Sequence, residues 1–294
     1  MKGWIIYNGA LRIKKVERLV QKLAQEGKKK KIDLMLVKNN QIMPCYSPFG
    51  KPELKSLIDL EEPDFIIFWD KDIFLAKHLE EMGYKLFNSR EAIESCDDKA
   101  LMHLKLSKTG LRVPKTIVGP FVFQQQNLSD EYLDRVFEEL GDKIILKETH
   151  GSFGMQVYLI NSKEELKSKI MELGSRRFIM QEFIDTSCGK DIRVNIIGDK
   201  VIGAMERVNP SDFRANITLG AVGKYVELND IQKEVALKAH KALNLDFSGV
   251  DILYGKDGEP ILCELNSNVN YLSFEEASGI NFGSLLLDYI MERL

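Results

Sequence analysis

Strand-like and helix-like segments alternate along the first third of the chain. Short apolar runs bounded by turn residues predict strands, and apolar residues at helical spacing predict helices between them. The predicted elements are strands at Trp4–Tyr7, Asp33–Val37, Phe65–Trp69 and Tyr84–Phe87, and helices at Leu11–Gln25 and Phe74–Met82. This alternation predicts a mostly parallel sheet. The first turn, Asn8-Gly9-Ala10, lacks a Gly-x-Gly-x-x-Gly pattern, so a substrate cleft is favoured over a dinucleotide-binding domain.

The pattern changes after residue 88. One long helix is predicted from Ser89, a plausible N-cap, to Lys108, with an interruption at Cys96-Asp97-Asp98-Lys99. We place the first domain boundary there and divide the chain into residues 1–98, 99–184 and 185–294. Beyond it, the predicted elements are a helix at Asn127–Leu140 and strands at Ile144–Lys147, Gln156–Ile160, Arg177–Ile184 and Gly189–Val194.

The segment from Gly249 to Asn266 predicts a β-hairpin that carries acidic side chains. Its two apolar runs flank Asp257-Gly258, a dipeptide typical of two-residue hairpin turns. With that turn, Asp251 lies directly opposite Glu264, and Asn266 projects to the same face because side chains alternate along a strand. Two facing carboxylates repel each other, and a divalent cation removes the repulsion. The hairpin therefore predicts a site for Mg²⁺, or for Mn²⁺ in its place, formed by Asp251, Glu264 and Asn266.

A simpler interpretation of the hairpin is that both carboxylates lie on a solvated sheet face, as most strand carboxylates do. Against it, Ile261-Leu262-Cys263 is continuously apolar, which indicates a strand buried on both sides. Buried carboxylates need a counter-ion. Spacing alone leaves both interpretations open.

A second candidate site follows the strand that ends at Lys147. In the sequence Gly151-Ser152-Phe153-Gly154, the glycines permit backbone N–H groups to approach phosphate oxygens, and the lysine is a nearby cation. The segment lacks the Gly-Lys-Ser/Thr of a P-loop, so a plain glycine-containing turn is the alternative.

Later strands supply groups suited to a nucleotide. Backbone groups of a strand such as Arg177–Ile184 can hydrogen-bond an adenine edge, and Asp191 can hold a ribose hydroxyl. Fixed cations and one amide follow at Arg193, Arg207, Arg214 and Asn216. Each arginine alone is typical of a surface ion pair, and only convergence on the carboxylates would make these residues functional.

Composition limits the class of protein. The chain has 294 residues, of which 44% are hydrophobic and 29% charged, and its net charge is −3, which argues against a nucleic-acid-coating protein. We find no apolar run of membrane-helix length and no signal-peptide pattern. Four scattered cysteines, without Cys-x-x-Cys spacing, predict reduced thiols in a cytoplasmic protein. The four histidines show no metal-ligand spacing, and the sequence contains no Gly-x-Ser-x-Gly pattern. A hydrolase site therefore has little support.

Taken in order, these motifs resemble the ATP-grasp superfamily and, within it, the RimK-type amino-acid ligases. The resemblance covers almost two hundred residues, from Asp98 to the C-terminus. Its matching pieces are Asp98-Lys99, Leu146-Lys147, Gly151–Gly154, Gln181–Ile184, Gly189-x-Asp191-Ile192-Arg193-Val194, Gly203-Ala204-Met205-x-Arg207, Phe213-Arg214-Ala215-Asn216, Ser248–Asp251 and Cys263–Asn266. It implies an ATP-grasp fold of two α+β subdomains preceded by a smaller parallel-sheet α/β domain.

The resemblance also implies a role for each motif residue. Lys99 and Lys147 would contact ATP phosphates, together with Gly151 and Ser152 in a loop that acts as a lid. Gln181, Glu182, Phe183 and Ile184 would meet adenine, and Asp191 the ribose. Asp251, Glu264 and Asn266 would bind Mg²⁺, and the γ-phosphate and acceptor carboxylate would face Arg193, Arg214 and Asn216. The implied reaction is a two-step ligation, in which a carboxylate takes the γ-phosphoryl group as an acylphosphate and an amine then displaces phosphate to form an amide.

The substrates stay open at this point. Glutamate-adding relatives often continue past the metal asparagine with a Ser-Pro-Gly type turn, whereas this chain has Asn266-Ser267-Asn268-Val269-Asn270. That form is closer to relatives that ligate an amino acid to a carrier protein in lysine or arginine biosynthesis. The resemblance favours glutamate as the amino acid, with a protein C-terminus, a carrier protein or a small molecule as acceptor, and homo-oligomers are common in the family. A nucleotide-binding module without catalysis and a kinase-like phosphotransferase are the alternatives.

Overall fold

The computed structural model describes residues 1–11, 14–124 and 127–294, and its N-terminal part is built on a parallel sheet. The order of the four strands is β2-β1-β5-β6, and all three pairings are parallel, as the alternating pattern predicts. The elements are β1 (Lys2–Tyr7), α1 (Lys14–Lys29), β2 (Asp33–Lys38), β3 (Ile42–Tyr46), β4 (Pro52–Ser56), β5 (Phe65–Trp69), α2 (Ile73–Glu81) and β6 (Leu86–Phe87).

The first helix differs from its predicted bounds. Residues 12–13, within the predicted helix, lie outside the described residues. At the other end, the predicted helix stops at Gln25, whereas α1 continues through Gly27 to Lys29. Gly27 is buried against β2, and a Cβ atom there would lie 2.6 Å from Cδ1 of Leu34. The glycine therefore permits close packing of helix on strand rather than ending the helix.

The predicted long helix from Ser89 to Lys108 is two helices, α3 (Arg90–Asp97) and α4 (Lys99–Leu106). Asp98 separates them with extended backbone angles, and its side chain accepts hydrogen bonds from the first amides of α4. Ser89 caps α3 as expected, with its hydroxyl accepting from Ala92 N at 3.3 Å. The break begins a helix at Lys99 and directs its side chain toward the centre of the molecule, where it is 8% exposed.

Two antiparallel sheets follow. The first has the order β7-β10-β8-β9 and the second β13-β12-β11-β14-β15. The elements are β7 (Thr116–Val118), α5 (Asp130–Leu140), β8 (Ile144–Glu148), β9 (Val157–Ile160), α6 (Lys163–Leu173), β10 (Phe178–Glu182), β11 (Lys190–Ile197), β12 (Lys200–Val208), β13 (Val222–Val226), α7 (Asp230–Ala242), β14 (Phe247–Tyr254) and β15 (Pro260–Asn266).

The last two helices are α8 (Leu272–Ser278) and α9 (Phe282–Arg293), and they pack with the parallel sheet of the N-terminal part. Phe282, Leu286 and Ile290 share one core with Leu23 of α1 and Phe65 of β5. The last elements of the sequence thereby tie the parallel sheet to the five-stranded sheet. The three-part division of the chain stays a prediction. In the described parts, no helix combines the length and hydropathy needed to cross a membrane.

The hairpin of β14 and β15 has the predicted pair Asp251–Glu264 but not the predicted turn. Its loop contains three residues, Lys256–Gly258, closed by Gly255 N donating to Glu259 O at 2.6 Å. That loop alone would pair Asp251 with Cys263. A β-bulge between the pairs Ile252–Leu262 and Asp251–Glu264 shifts the register by one residue. The two one-residue offsets cancel, so Asp251 lies opposite Glu264 as predicted.

Candidate active site

A cavity of about 860 Å³ lies between the two antiparallel sheets and the carboxyl ends of the parallel strands β1 and β5. Its volume is within the usual range of small-molecule sites. Every residue predicted for catalysis, nucleotide or metal binding lines it: Lys99, Lys147, Gly151, Ser152, Gln181, Glu182, Phe183, Ile184, Asp191, Arg193, Arg214, Asn216, Asp251, Glu264 and Asn266.

Charged residues form a ladder across four strands on the cavity face of the five-stranded sheet. Arg207 lies opposite Asp191, Arg193 opposite Asp251, and Asp251 opposite Glu264. Asp191 and Arg193 share a face of β11 because they are two residues apart. We call these five residues the charge ladder. Strand register alone brings them together, so the site depends on the hydrogen-bond pairing of the sheet.

Two arginines hold the carboxylate of Asp251. Arg193 donates to both of its oxygens, with Nη2 at 2.6 Å from Oδ2, and Arg207 Nη2 lies 3.0 Å from Oδ1. Although burial opposes ionisation, Arg193 and Arg207 keep the pKa of Asp251 below its usual value. The side chain is 3% exposed. Asp251 is therefore a buried, ionised carboxylate.

Glu264 faces a second pair of cations. Burial again opposes ionisation, but Lys99 and Lys147 lower the pKa of Glu264 below its usual value. The pKa of Lys99 is itself lowered, because the ammonium group is buried. Asn266 donates from Nδ2 to Oε1 of Glu264 at 3.3 Å. The wall thus presents two ionised carboxylates, an amide and two buried ammonium groups.

Arg207 is the ladder residue whose position departs most from expectation. The sequence identified it only as one of several cations, yet it is 6% exposed and binds Asp191 with two hydrogen bonds of 2.7 and 2.5 Å. Burial lowers the pKa of Arg207, but the carboxylates of Asp251 and Asp191 raise it by a larger amount. The guanidinium group therefore stays charged. Asp191, predicted to hold a ribose hydroxyl, has both carboxylate oxygens bound to this guanidinium. Its ribose role stays a prediction.

The segment Gly151–Gly154, which we call the glycine loop, lines the same cavity as the ladder and is held from two sides. Arg214 Nη1 donates to Gly154 O at 2.6 Å, and Lys71 Nζ donates to Gly151 O at 3.4 Å. Gly154 has a φ of +74°, and a Cβ atom there would lie 2.7 Å from Oδ1 of Asn216. Only glycine satisfies both constraints. Arg214 and Asn216, predicted to face phosphate, contact this loop.

The end of β10 offers backbone rather than side-chain groups. Nε2 of Gln181 lies 2.9 Å from both His103 Nε2 and Thr116 Oγ1, and burial lowers the pKa of His103 to about 4. The carboxylate of Glu182 accepts from Arg112 Nη2 and Lys115 N, each at 2.7 Å. Because these side chains have protein partners, a base bound here would rely on main-chain groups and on Phe183 and Ile184.

The donor set suits Mg²⁺ bound with a nucleotide. Within residues 1–11, 14–124 and 127–294, no three His, Cys, Asp or Glu side chains are arranged to hold a metal. Two carboxylates and one amide oxygen are hard ligands, and Mg²⁺ commonly completes its shell with water and substrate phosphate oxygens. Lys99 and Lys147 lie beside these ligands and attract phosphates. The residues therefore fit a magnesium–nucleotide complex.

The parallel sheet also contributes to the cavity. Asn8 and Asp70 follow directly after β1 and β5, and both line the wall with Lys71. The sequence predicted a substrate cleft in this half but named no residue. A signal was present, because open parallel sheets bind ligands at the carboxyl ends of their strands. Asn195 and Asn268 are further cavity residues that the motifs missed.

Comparison with known proteins agrees with this geometry. The family model of the RimK-like ATP-grasp domain matches residues 96–290. Human N-acetylaspartylglutamate synthase A is 33% identical over 228 residues, which cover 76% of this chain and 57% of that protein. Glutamate–LysW ligase ArgX of Sulfurisphaera tokodaii is 28% identical over 287 residues, 95% of each chain.

Solved structures share the fold. The VanG D-Ala:D-Ser ligase of Enterococcus faecalis superposes with a TM-score of 0.77 at 17% identity, covering 100% of this chain and 99% of that one. At this identity the likeness supports the fold alone. The family match spans more than half of the chain, and the named relatives are synthases and ligases. The chain therefore belongs to the RimK-like ATP-grasp family, and it is an ATP-grasp ligase that forms carbon–nitrogen bonds.

Proposed function

We propose that this ligase joins glutamate, through its amino group, to the carboxylate of an acceptor in an ATP- and Mg²⁺-dependent reaction. The observation that carries the proposal is that every predicted ATP, metal and catalytic residue lines one and the same cavity. The names of the relatives support glutamate: one is a glutamate–LysW ligase and another an N-acetylaspartylglutamate synthase.

Each group of site residues would bind the part of the substrates that matches its charge. Lys99 and Lys147 would hold phosphates, the glycine loop would cover them, and backbone groups near Phe183 would receive the base. Asp251, Glu264 and Asn266 would hold Mg²⁺, which neutralises phosphate charge when bound. Arg193 lies beside Asp251, where a guanidinium would orient the acceptor carboxylate.

The chemistry then needs no covalent nucleophile from the protein. The acceptor carboxylate attacks the γ-phosphorus and ADP leaves, which gives an acylphosphate. The amino group of glutamate attacks the acyl carbon and phosphate leaves, which gives the amide after loss of a proton. The protein would accelerate both steps by positioning the reacting groups and by neutralising charge. The glycine loop would exclude water, which would otherwise hydrolyse the acylphosphate.

The acceptor is the less constrained substrate. A protein C-terminus, a carrier protein and a small di- or tricarboxylic acid all present the required carboxylate. The alignment with the LysW ligase spans 95% of both chains, which favours a carrier-protein acceptor over the small acids. Acceptors of all three kinds therefore belong in the test.

The test measures phosphate release from Mg-ATP over a panel of amino acids and acceptors. We expect release only when glutamate and an acceptor are both present, and a loss of roughly 10³-fold or more in Glu264→Gln, because a metal-bound carboxylate is removed. Glu227→Gln is the matched control, since Glu227 does not line the cavity and should keep the parent rate.

Two results would contradict the proposal. A stable phosphorylated acceptor that accumulates without an amine would indicate a kinase-like phosphotransferase. Nucleotide binding that survives Asp251→Ala, with no turnover of any pair in the parent, would indicate a binding module.

A further inference from the structure

Asp70 is a buried carboxylate whose function the ligase motifs leave unexplained. It follows β5 directly, is 5% exposed and lines the cavity. Its Oδ1 accepts from Lys71 N at 2.7 Å and from Asn8 Nδ2 at 3.3 Å. Its Oδ2 is buried without a hydrogen-bond partner. A buried carboxylate oxygen without a partner is costly, which indicates that a ligand completes its environment.

The groups around Asp70 lack a compensating cation. In the described parts of the chain, no lysine, arginine or histidine forms an ion pair with it, and the ammonium of neighbouring Lys71 lies 2.9 Å from Asp97 instead. Burial raises the pKa of Asp70, and Asp72 and Asp97 add to this effect. A cation bound beside Asp70 would lower this pKa and stabilise the ionised carboxylate. By contrast, Asp251, which also lines the cavity, already has two arginines.

The segment after the metal-binding asparagine joins Asp70 to the reaction centre. Trp69 packs edge-on against Tyr271, with ring centroids 5.8 Å apart. Tyr271 lies five positions after Asn266 in the sequence, a span of at most about 17 Å. Between them, Asn268 and Asn270 line the cavity, and each has a buried side-chain oxygen without a hydrogen-bond partner. This wall is rich in acceptors that have no donor.

We propose that Asp70 binds the ammonium group of the amino-acid substrate and so selects amines for the second step of the ligation. The bound ammonium group loses one proton to water before the neutral amine attacks the acyl carbon. An ammonium group supplies three N–H donors and a positive charge, which match an unpaired carboxylate and nearby amide oxygens. The acceptor is excluded from this position because its carboxylate would be repelled by Asp70. Asp70 is thus a specificity-determining residue. The assignment rests on the proposed ligation of an amino acid.

The first experiment removes the charge from the protein. Asp70→Asn keeps an oxygen that can accept from Lys71 N, and it should raise the KM for glutamate roughly 10- to 100-fold, the usual worth of a hydrogen bond to a charged group. The KM values for ATP and the acceptor should stay within twofold. Asp246→Asn is the matched control, because Asp246 is another carboxyl with a pKa raised by burial that does not line the cavity. If Asp70→Asn does not fold, the same KM values are measured for Asp70→Ser.

The second experiment removes the charge from the ligand. Glutarate, which lacks the ammonium group, is measured as a competitive inhibitor against glutamate. The parent enzyme should bind glutamate roughly 10- to 100-fold more tightly than glutarate, and Asp70→Asn should bind the two about equally. Equal weakening of both ligands, or a KM change that falls on ATP or the acceptor, would overturn the assignment. Amine-dependent phosphate release by the parent tests the proposed function separately, so the two failures are distinguishable.

Discussion

The charge ladder and the glycine loop line one cavity but are held in different ways. Ladder residues sit within strands of a five-stranded sheet, and Asp251 and Arg207 are 3% and 6% exposed. The glycine loop lies between β8 and β9, Phe153 is 38% exposed, and the loop is held by a few hydrogen bonds to the backbone. The ladder is therefore a fixed surface set by strand register, and the loop is a part that can move without disturbing the sheet.

Removing a ladder cation should have the largest effect on stability. Arg207→Met leaves Asp191 and Asp251 buried with one partner fewer, and we expect the free energy of unfolding to fall by about 3–5 kcal/mol. Denaturant unfolding measures the change. Arg135→Met, whose side chain is 71% exposed in a surface ion pair, is the control and should cost less than about 1 kcal/mol. A loss below 1 kcal/mol in Arg207→Met would show that the ladder is not a structural unit.

The two regions also differ in how much of them the sequence predicts. The pair Asp251–Glu264 is predicted correctly although the turn is not, because a three-residue loop and a bulge displace the register in opposite directions. A bulge depends on how β15 packs, and the dipeptide Asp257-Gly258 contains no information about it. The same limit applies to Arg207, whose importance depends on three strands meeting in register.

Local signals account for other successes and errors. The break at Asp98 follows from a helix-capping side chain, which the interrupted pattern already indicated. The hairpin β3–β4 was not predicted, and both of its strands contain a proline, Pro44 and Pro52, a residue that argues against strand structure in a sequence. The orphan oxygen of Asp70 could be found only from the structure, because the cost of burial depends on residues distant in sequence.

Acid should destabilise the five-stranded sheet that carries the ladder, because a neutral histidine is buried beneath it. His240 of α7 lies beneath this sheet, with Nδ1 2.7 Å from Ser248 Oγ of β14, and burial lowers its pKa to about 4. An unfolded histidine has a pKa near 6.5, so the folded state binds fewer protons between these values. The contribution of His240 to the free energy of unfolding is therefore fully present above pH 6.5. It is lost as the pH drops toward 4, by roughly 1–2 kcal/mol between pH 7 and pH 5.

Denaturant unfolding at several pH values measures this dependence. His240→Gln can keep a hydrogen bond to Ser248 but does not titrate, so its stability should change less over the same range. An identical pH dependence in the variant and the parent would assign the effect to other groups.

Removing a side chain that holds the glycine loop should give the smallest change in stability and a larger change in nucleotide affinity. Arg214 contacts the loop through Gly154 O at 2.6 Å and pairs with Asp212, and its side chain is 23% exposed. Arg214→Met should lower the free energy of unfolding by no more than about 1 kcal/mol, because a partly exposed pair contributes little. It should raise the KM for ATP by roughly tenfold, since the lost contact is worth about one hydrogen bond to a charged group.

Hydrogen exchange separates this effect from a general loss of structure. In Arg214→Met, amides of residues 151–157 should exchange faster, whereas amides of β14 should exchange at the parent rate, because the ladder does not depend on the loop. Thr218→Val removes a weaker contact, the 3.4 Å hydrogen bond from Thr218 Oγ1 to Phe153 O, and should give the same pattern to a smaller degree. If exchange in β14 also accelerates, the fixed surface and the movable loop form one cooperative unit, and the distinction between them is wrong.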